Sequence, residues 1–309
     1  MNSAPLDVAV TGASGALGQH VVQALLAAGH GVRALVRAHD ERAAWLEQAG
    51  ASVHVADLFD ERALHRAVRG ATGLVHCAAR ESTARRDADA MRRLLVEGTS
   101  AALRVARRRG VERIVHVSSM VAVGMRRDDR PMNEETPWRG SDLPHVAAVH
   151  ARREAEERVL TAARAGLPVV VVNPDATVGA RADGTEEETL RAGATGPLPR
   201  RGASVARIED VASGVGLALL RGVAGERYIL GGDNLSLVDV ARRIAMNAGR
   251  PAPPVGPPGV WRLPALALAR LADRPPADVV RMTGWNTYAD STRAREELGY
   301  ETRTESGIR

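Results

Sequence analysis

The run Val-Ala-Val-Thr-Gly-Ala-Ser-Gly-Ala-Leu-Gly over Val8–Gly18 leaves this chain few ways to fold. It reads as an apolar strand entering glycines at 12, 15 and 18, and beyond it Leu17, Val21, Leu25 and Ala28 recur at helical spacing. A glycine turn between a strand and a helix N-terminus is a place for a pyrophosphate. Gly12 permits the tight turn, Gly15 lets the backbone approach phosphates, and Gly18 lets the helix pack closely on the sheet. Gly29 is the expected C′ residue, and a second strand is expected at Val32–Val36. A glycine motif alone is a weak signal, but strand, loop, helix and second strand together supply the context it requires. The segment is read as a dinucleotide site contacted by Gly12, Ser14, Gly15, Ala16, Leu17 and Gly18.

The same alternation continues. A helix is expected near Glu41–Gln48, a strand at Ser52–Val55, a helix over Glu61–Val68 and a strand at Gly73–Val75. One long helix from about Ala88 to Arg109 then precedes a strand at Arg113–Val117, and a helix over about Val146–Ala165 precedes the strand Val169–Val172. This pattern predicts a doubly wound parallel sheet of α/β, Rossmann type. Ligands on such sheets bind beyond the carboxyl ends of the strands, where Gly12, Arg37, Asp57–Leu58, Cys77–Ala78–Ala79, Ser118–Ser119 and Asn173–Pro174 fall. The composition shifts after Pro174. Gly179–Gly202 reads as irregular, Glu209-Asp210 opens a helix through Leu220, Gly225–Gly232 holds a short strand, and Pro251–Pro264 is a proline-rich connector. The expected division is a dinucleotide-binding domain at 1–174, rejoined at about 208–232, and a smaller substrate-binding lobe from 175–207 and 233–309.

A chain of 309 residues, 45% apolar, is long enough for a sizeable core. No stretch approaches a membrane span and no basic-then-apolar leader opens the chain, so no membrane association is expected. The single cysteine, Cys77, fits a reducing cytoplasm. A net charge of +5 and a pI near 10.4 raise the question of nucleic acid, but acids and bases are interspersed, so none is expected as a partner. No metal is expected. All 42 basic residues are arginine, which forbids any mechanism needing a lysine amine.

Taken together, Thr11–Gly18, Ala56–Leu58, Val96–Thr99, Ile114–Gly124, Gly166–Pro174, Ile208–Val211, Gly225–Asn234 and Ala294–Tyr300 span nearly the whole chain in order. In these pieces the sequence resembles the extended short-chain dehydrogenase/reductases of the NAD-dependent epimerase/dehydratase superfamily, in the dihydroflavonol reductase-like branch. The resemblance implies that Ser119, five residues before Gly124, orients a substrate carbonyl. It also implies a tyrosine and a lysine four apart on the next helix. Here those positions hold Ala148 and Arg152, or Val149 and Arg153 with a one-residue slip, and Leu95 stands where the family usually has asparagine. The only tyrosines are 228, 288 and 300, far downstream. The cofactor half is intact and the acid–base half is missing, a pattern similar to the tyrosine-lacking angucyclinone ketoreductases.

Arginine at the end of the second strand accommodates a 2′-phosphate, so Arg37 points to NADP(H), with Asp40 and Glu41 nearby as the competing signal for NAD. Arg152 is expected at the cofactor ribose but cannot transfer a proton. His145, one helical turn before Ala148, is a candidate proton donor. Met125, Met132 and Trp138, with Thr177, are expected to form an apolar wall for a flat aromatic polyketide substrate. The expected activity is reduction of a ketone on that substrate in antibiotic biosynthesis, assisted by a neighbouring phenol of the substrate. A non-catalytic NADP-binding sensor or scaffold and a sugar-nucleotide epimerase or dehydratase remain as alternatives. The sequence leaves the oligomeric state open.

Overall fold

The computed structural model describes residues 4–79, 87–140, 143, 146–179, 181–182, 200–247, 251 and 281–303. Its strands are β1 (Asp7–Thr11), β2 (Gly31–Val36), β3 (Ser52–Val55), β4 (Gly73–His76), β5 (Arg113–Val117), β6 (Val169–Pro174), β7 (Ala176–Val178), β8 (Gly202–Arg207), β9 (Arg227–Leu230) and β10 (Asp233–Ser236). Seven of them form one parallel sheet in the order β3-β2-β1-β4-β5-β6-β9, the doubly wound α/β arrangement expected. The order reverses between β1 and β4, the point beyond whose carboxyl strand ends sheets of this kind bind ligands in a crevice.

Period-two alternation sorts the strand side chains to two faces. Val8, Val10, Ala34, Val36, Val75, Val115 and Val172 face α1 (Ala16–Ala27), α2 (Glu41–Gln48) and α8 (Ile208–Arg221). Ala9, Leu35, Leu74, Ile114 and Val171 face α3 (Glu61–Ala67), α5 (Thr99–Arg109) and α7 (Ala147–Arg164). Local chemistry fixes the helix starts: the Asp40 carboxylate accepts from the Arg42 and Ala43 amides, and Asp60 caps α3 through Ala63.

The long helix expected over Ala88–Arg109 is three pieces: α4 (Ala88–Arg92), a π-helical turn at Arg93–Gly98, and α5. A second sheet, absent from the sequence reading, forms from β10, β8 and β7, with β8 antiparallel to β10 and parallel to β7. β7 and β8 flank the stretch Gly179–Gly202 read as irregular, most of which lies outside the described residues. The described chain also contains α6 (Met120–Val123) and α9 (Leu237–Asn247). No described helix is long and apolar enough to cross a membrane.

On the α5/α7 face, the row nearest the carboxyl edge is polar: Thr11, His76, His116, Ser118 and Asn173, all nearly or fully buried. The Thr11 hydroxyl lies 2.7 Å from His76 Nδ1, Thr99 Oγ1 lies 3.1 Å from His76 Nε2, and the rings of His76 and His116 stack at 5.5 Å. Burial pushes His76 down to about 4, and burial with the charges of His76 and Arg152 pushes His116 well below the ordinary histidine range. Both imidazoles are therefore neutral in the folded protein at pH 7. Because their folded values lie below the unfolded ones, their contribution to stability is full above about pH 6.5 and is lost as pH falls toward 4. Urea unfolding midpoints should drop steadily across that window, and a His76→Gln variant should show a shallower drop; an identical pH profile would remove His76 as the cause.

Candidate active site

Gly12 closes β1 with φ +70°, and a Cβ there would lie 2.7 Å from the backbone of Ala78 at the end of β4. A Cβ on Gly18 would lie 2.1 Å from the Gly12 carbonyl oxygen. These two glycines are demanded by backbone packing on backbone. Gly15 is different: its φ of −73° suits any residue, and its added Cβ would meet only the Gly12 carbonyl, at 3.1 Å. Gly15 is the N-cap of α1 and no side chain caps that helix. The loop thus presents bare backbone and the positive end of a twelve-residue helix to the crevice, which fits a dinucleotide pyrophosphate. Ser14, Ala16 and Leu17 belong to this same turn and first helical residues.

Around the loop, Arg37 is exposed just past β2. Asp57 is also exposed and accepts the Phe59 amide at 2.8 Å, while Leu58 is buried beside it. The Cys77 amide extends the ladder by donating to the Thr11 carbonyl at 3.1 Å. Burial pushes the Cys77 thiol up to about 12, so it is a neutral group and no nucleophile. Ala78 lies under Gly12, and Ala79 is exposed at the crevice edge. Pro174 closes β6 and is buried; Thr177, half-buried, sits on β7.

The two strand-end serines diverge. Ser118 turns inward and its hydroxyl donates to Glu156 Oε2 at 2.6 Å, so it is held by α7 rather than offered to a ligand. Ser119 is half-buried, extended, and makes no capping bond. Glu156 is fully buried and also accepts from Asn173 Nδ2 at 2.6 Å and from Arg227 at 3.3 Å. Asn173 donates in addition to the Ser119 carbonyl at 3.1 Å, tying the position of Ser119 to this carboxylate. The sequence reading missed this group; a glutamate among arginines and alanines on a helix carries no signal of inward orientation.

At Ala148, where the resemblance implies a tyrosine, the surroundings are apolar. Ala148 packs on one side against Met91, Leu95, Val96, Ala151 and Ala155, and on the other against Met125, Leu143, Val146, Val149 and Trp285. Arg152 is half-buried and its charge acts on His116. Arg153, the alternative, donates to the Ala122 carbonyl and to Glu157, and lies over the Trp138 ring. Met125 and the half-buried Trp138 share the apolar group that contains Ala148. Met132 does not join them. It is 1% exposed and packs with Met120, Val123, Ile229 and Ala289 beneath the loop, so it has no face left for a wall. His145 lies outside the described residues.

The profile of the NAD dependent epimerase/dehydratase family matches residues 8–194. The chain belongs to that family. This makes it an NAD(P)-dependent enzyme of reductase or epimerase type. Among relatives, it is 34% identical to a putative dihydroflavonol 4-reductase of Synechocystis sp., over 94% of this chain and 88% of that protein. It is 30% identical to the 4-hydroxy-2-methyl-3-oxo-4-farnesyl-3,4-dihydroquinoline-1-oxide ketoreductase of Stigmatella aurantiaca, over 94% of this chain and 90% of that one. The crystal structure of gox2253 superposes with a TM-score of 0.82 at 32% identity, covering 98% of this chain and 95% of that one.

Removing the Glu156 carboxylate strands two buried donors, on Ser118 and Asn173, and takes the carboxylate partner from the half-buried Arg227 guanidinium. Glu156→Ala should therefore cost about 3–5 kcal/mol in urea-monitored unfolding. A loss below about 1 kcal/mol, the range of an ordinary exposed pair, would mean that the network does not hold the strand ends together.

Proposed function

We propose that this protein is an NADPH-dependent ketoreductase that acts on a polycyclic aromatic, angucyclinone-like polyketide without a protein acid at the reacting carbonyl. The observation that carries the reading is the packing at Ala148: an intact dinucleotide loop faces a site in which the acid's position is walled on both sides by apolar side chains. When bound, the reduced dinucleotide supplies the hydride. Ser119 donates a hydrogen bond to the carbonyl and orients it. Arg152 stays charged and contacts the cofactor ribose, since a guanidinium does not give up its proton. Met125 and Trp138, backed by Trp285, offer an apolar surface to a flat ring system. A phenol next to the carbonyl then shares its proton with the oxygen as the hydride adds, replacing the missing tyrosine. Two relatives support the choice of a ring ketone: one is named as a dihydroflavonol 4-reductase and the other as a ketoreductase of a 4-hydroxy-3-oxo ring.

The test is NADPH consumption against hydroxylated polycyclic ketones and quinones. Oxidation is expected only when a ketone is present, and methylation of the adjacent phenol should abolish it while NADPH binding persists. Ala148→Tyr with Arg152→Lys should bring no gain, although a positioned general acid is ordinarily worth about 10²–10⁴-fold. A hundredfold gain, or a methylated substrate reduced at the parent rate, overturns the substrate-assisted mechanism. NADPH binding with no turnover on any ketone would favour a sensor instead.

Arg37, exposed at the rim, is assigned to the 2′-phosphate of NADPH. Arg37→Ala should weaken NADPH by roughly 1.5–3 kcal/mol and leave NADH nearly unchanged. Equal titration curves for the two cofactors in the parent protein would refute this assignment.

A further inference from the structure

The segment Arg126–Arg130 carries three arginines and two aspartates. Both aspartates are committed elsewhere. Asp128 pairs with Arg126 at 2.7 Å and with Arg130 at 2.8 Å, and these two guanidinium groups hold its carboxyl well below the ordinary range. Asp129 accepts from the Asn286 side-chain amide at 3.1 Å. Arg127 is left with an aromatic partner: its guanidinium carbon lies 4.5 Å from the centre of the Trp285 ring. Among the described residues Arg127 has no ion pair and no side-chain hydrogen bond. Trp285 is 8% exposed and packs with Met125, Val146 and Val149 in the apolar group that includes Trp138 and Ala148, whereas Arg127 is exposed. The guanidinium therefore covers this group where it meets solvent. The buried indole N–H of Trp285 also has no acceptor. A cation and a donor, neither of them matched by an acceptor, meet at the edge of an apolar surface. The chemical complement of such an edge is a flat ligand that carries an oxyanion.

We propose that Arg127 is a specificity-determining residue that takes a carboxylate of the substrate, so that the site selects ring ketones carrying a negative charge. The inference rests on the reading of Met125 and Trp138 as the surface for a flat ring system, and it adds the charge that this ring system bears. Stacking on Trp285 occupies one face of the guanidinium plane. The N–H donors lie in that plane, at its edge, where they form the fork that a carboxylate matches with two parallel hydrogen bonds. Arg130 lies three positions on and is equally cationic, but its charge is already matched by Asp128. Loss of Arg127 should therefore weaken ligands that carry a carboxylate and spare their neutral counterparts. The contact is made alike in ground state and transition state, so its loss should raise KM rather than lower kcat.

The experiment titrates hydroxynaphthoate, a flat aromatic carboxylate, and its methyl ester into the parent, Arg127→Gln, Arg127→Lys and Arg130→Gln proteins. Binding is followed by calorimetry, with no turnover required. The parent should prefer the acid to the ester. Arg127→Gln should weaken the acid about tenfold and leave the ester within about twofold. Arg127→Lys, which keeps the charge without the planar fork, should recover part of the loss. Arg130→Gln removes the same charge from the same segment and should leave both ligands within about twofold. In turnover, a ring ketone bearing a carboxylate should show the Arg127→Gln loss in KM. No preference of the parent for the acid overturns the proposal. Equal weakening of acid and ester also overturns it, because Arg127 would then act only as a cover for the Trp285 ring. An equal loss in Arg130→Gln overturns it as well, by making the effect one of net charge. Reduction of no ring ketone, with the acid still bound through Arg127, refutes the ketoreductase reading and leaves the carboxylate site standing.

Discussion

A carboxylate with no access to water organises this structure. Glu156 accepts from β5 through Ser118, from β6 through Asn173 and from β9 through Arg227, and it does so from the middle of α7. A buried carboxylate is tolerated only when its charge and lone pairs are matched, and here donors from three strands match them. The consequence reaches the crevice. Strand geometry sends successive side chains to opposite faces, so holding Ser118 inward directs Ser119 outward. Asn173 then fixes the Ser119 backbone to the same group. The network also reaches Glu134, because Arg227 donates to the Glu134 carbonyl and the Glu134 carboxylate accepts the Ile229 amide at 2.8 Å.

Ala148 and Leu95, which stand where the resemblance implies a tyrosine and an asparagine, are held by apolar packing. Leu95 sits in the π-helical turn and joins Met91, Val96 and Ala151 against α7. A π-turn inside a helix is a rare feature that tends to accompany functional sites. Here the backbone irregularity persists with an aliphatic side chain in it.

Much of this was legible in the sequence because it depends on local rules. Gly12 and Gly18 are dictated by backbone contacts, and their spacing announces the loop. The alternation of strands and helices announces a doubly wound parallel sheet. Other features depend on long-range partners that no spacing reveals. β10 has the sequence Asp-Asn-Leu-Ser, which has no strand pattern, and becomes strand only by pairing with β8. Met132 looked like a loop residue available to substrate, but the backbone bridge to Ala289 draws it into the core. Glu156 reads as one more charge in a highly charged chain. Its role follows from burial, which composition does not record.

The absence of lysine has a structural counterpart. Helix ends leave carbonyls without intrahelical partners, and here neighbouring arginines supply them. Arg107 donates to the Ala162 and Ala165 carbonyls at the end of α7, Arg113 to those of Leu219 and Leu220 at the end of α8, and Arg221 to that of Leu298. An ammonium group begins to lose its charge near pH 10.4, whereas a guanidinium remains charged beyond pH 12. A fold stapled entirely by guanidinium groups keeps these fastenings in alkaline solution, where one stapled by amines would begin to come undone.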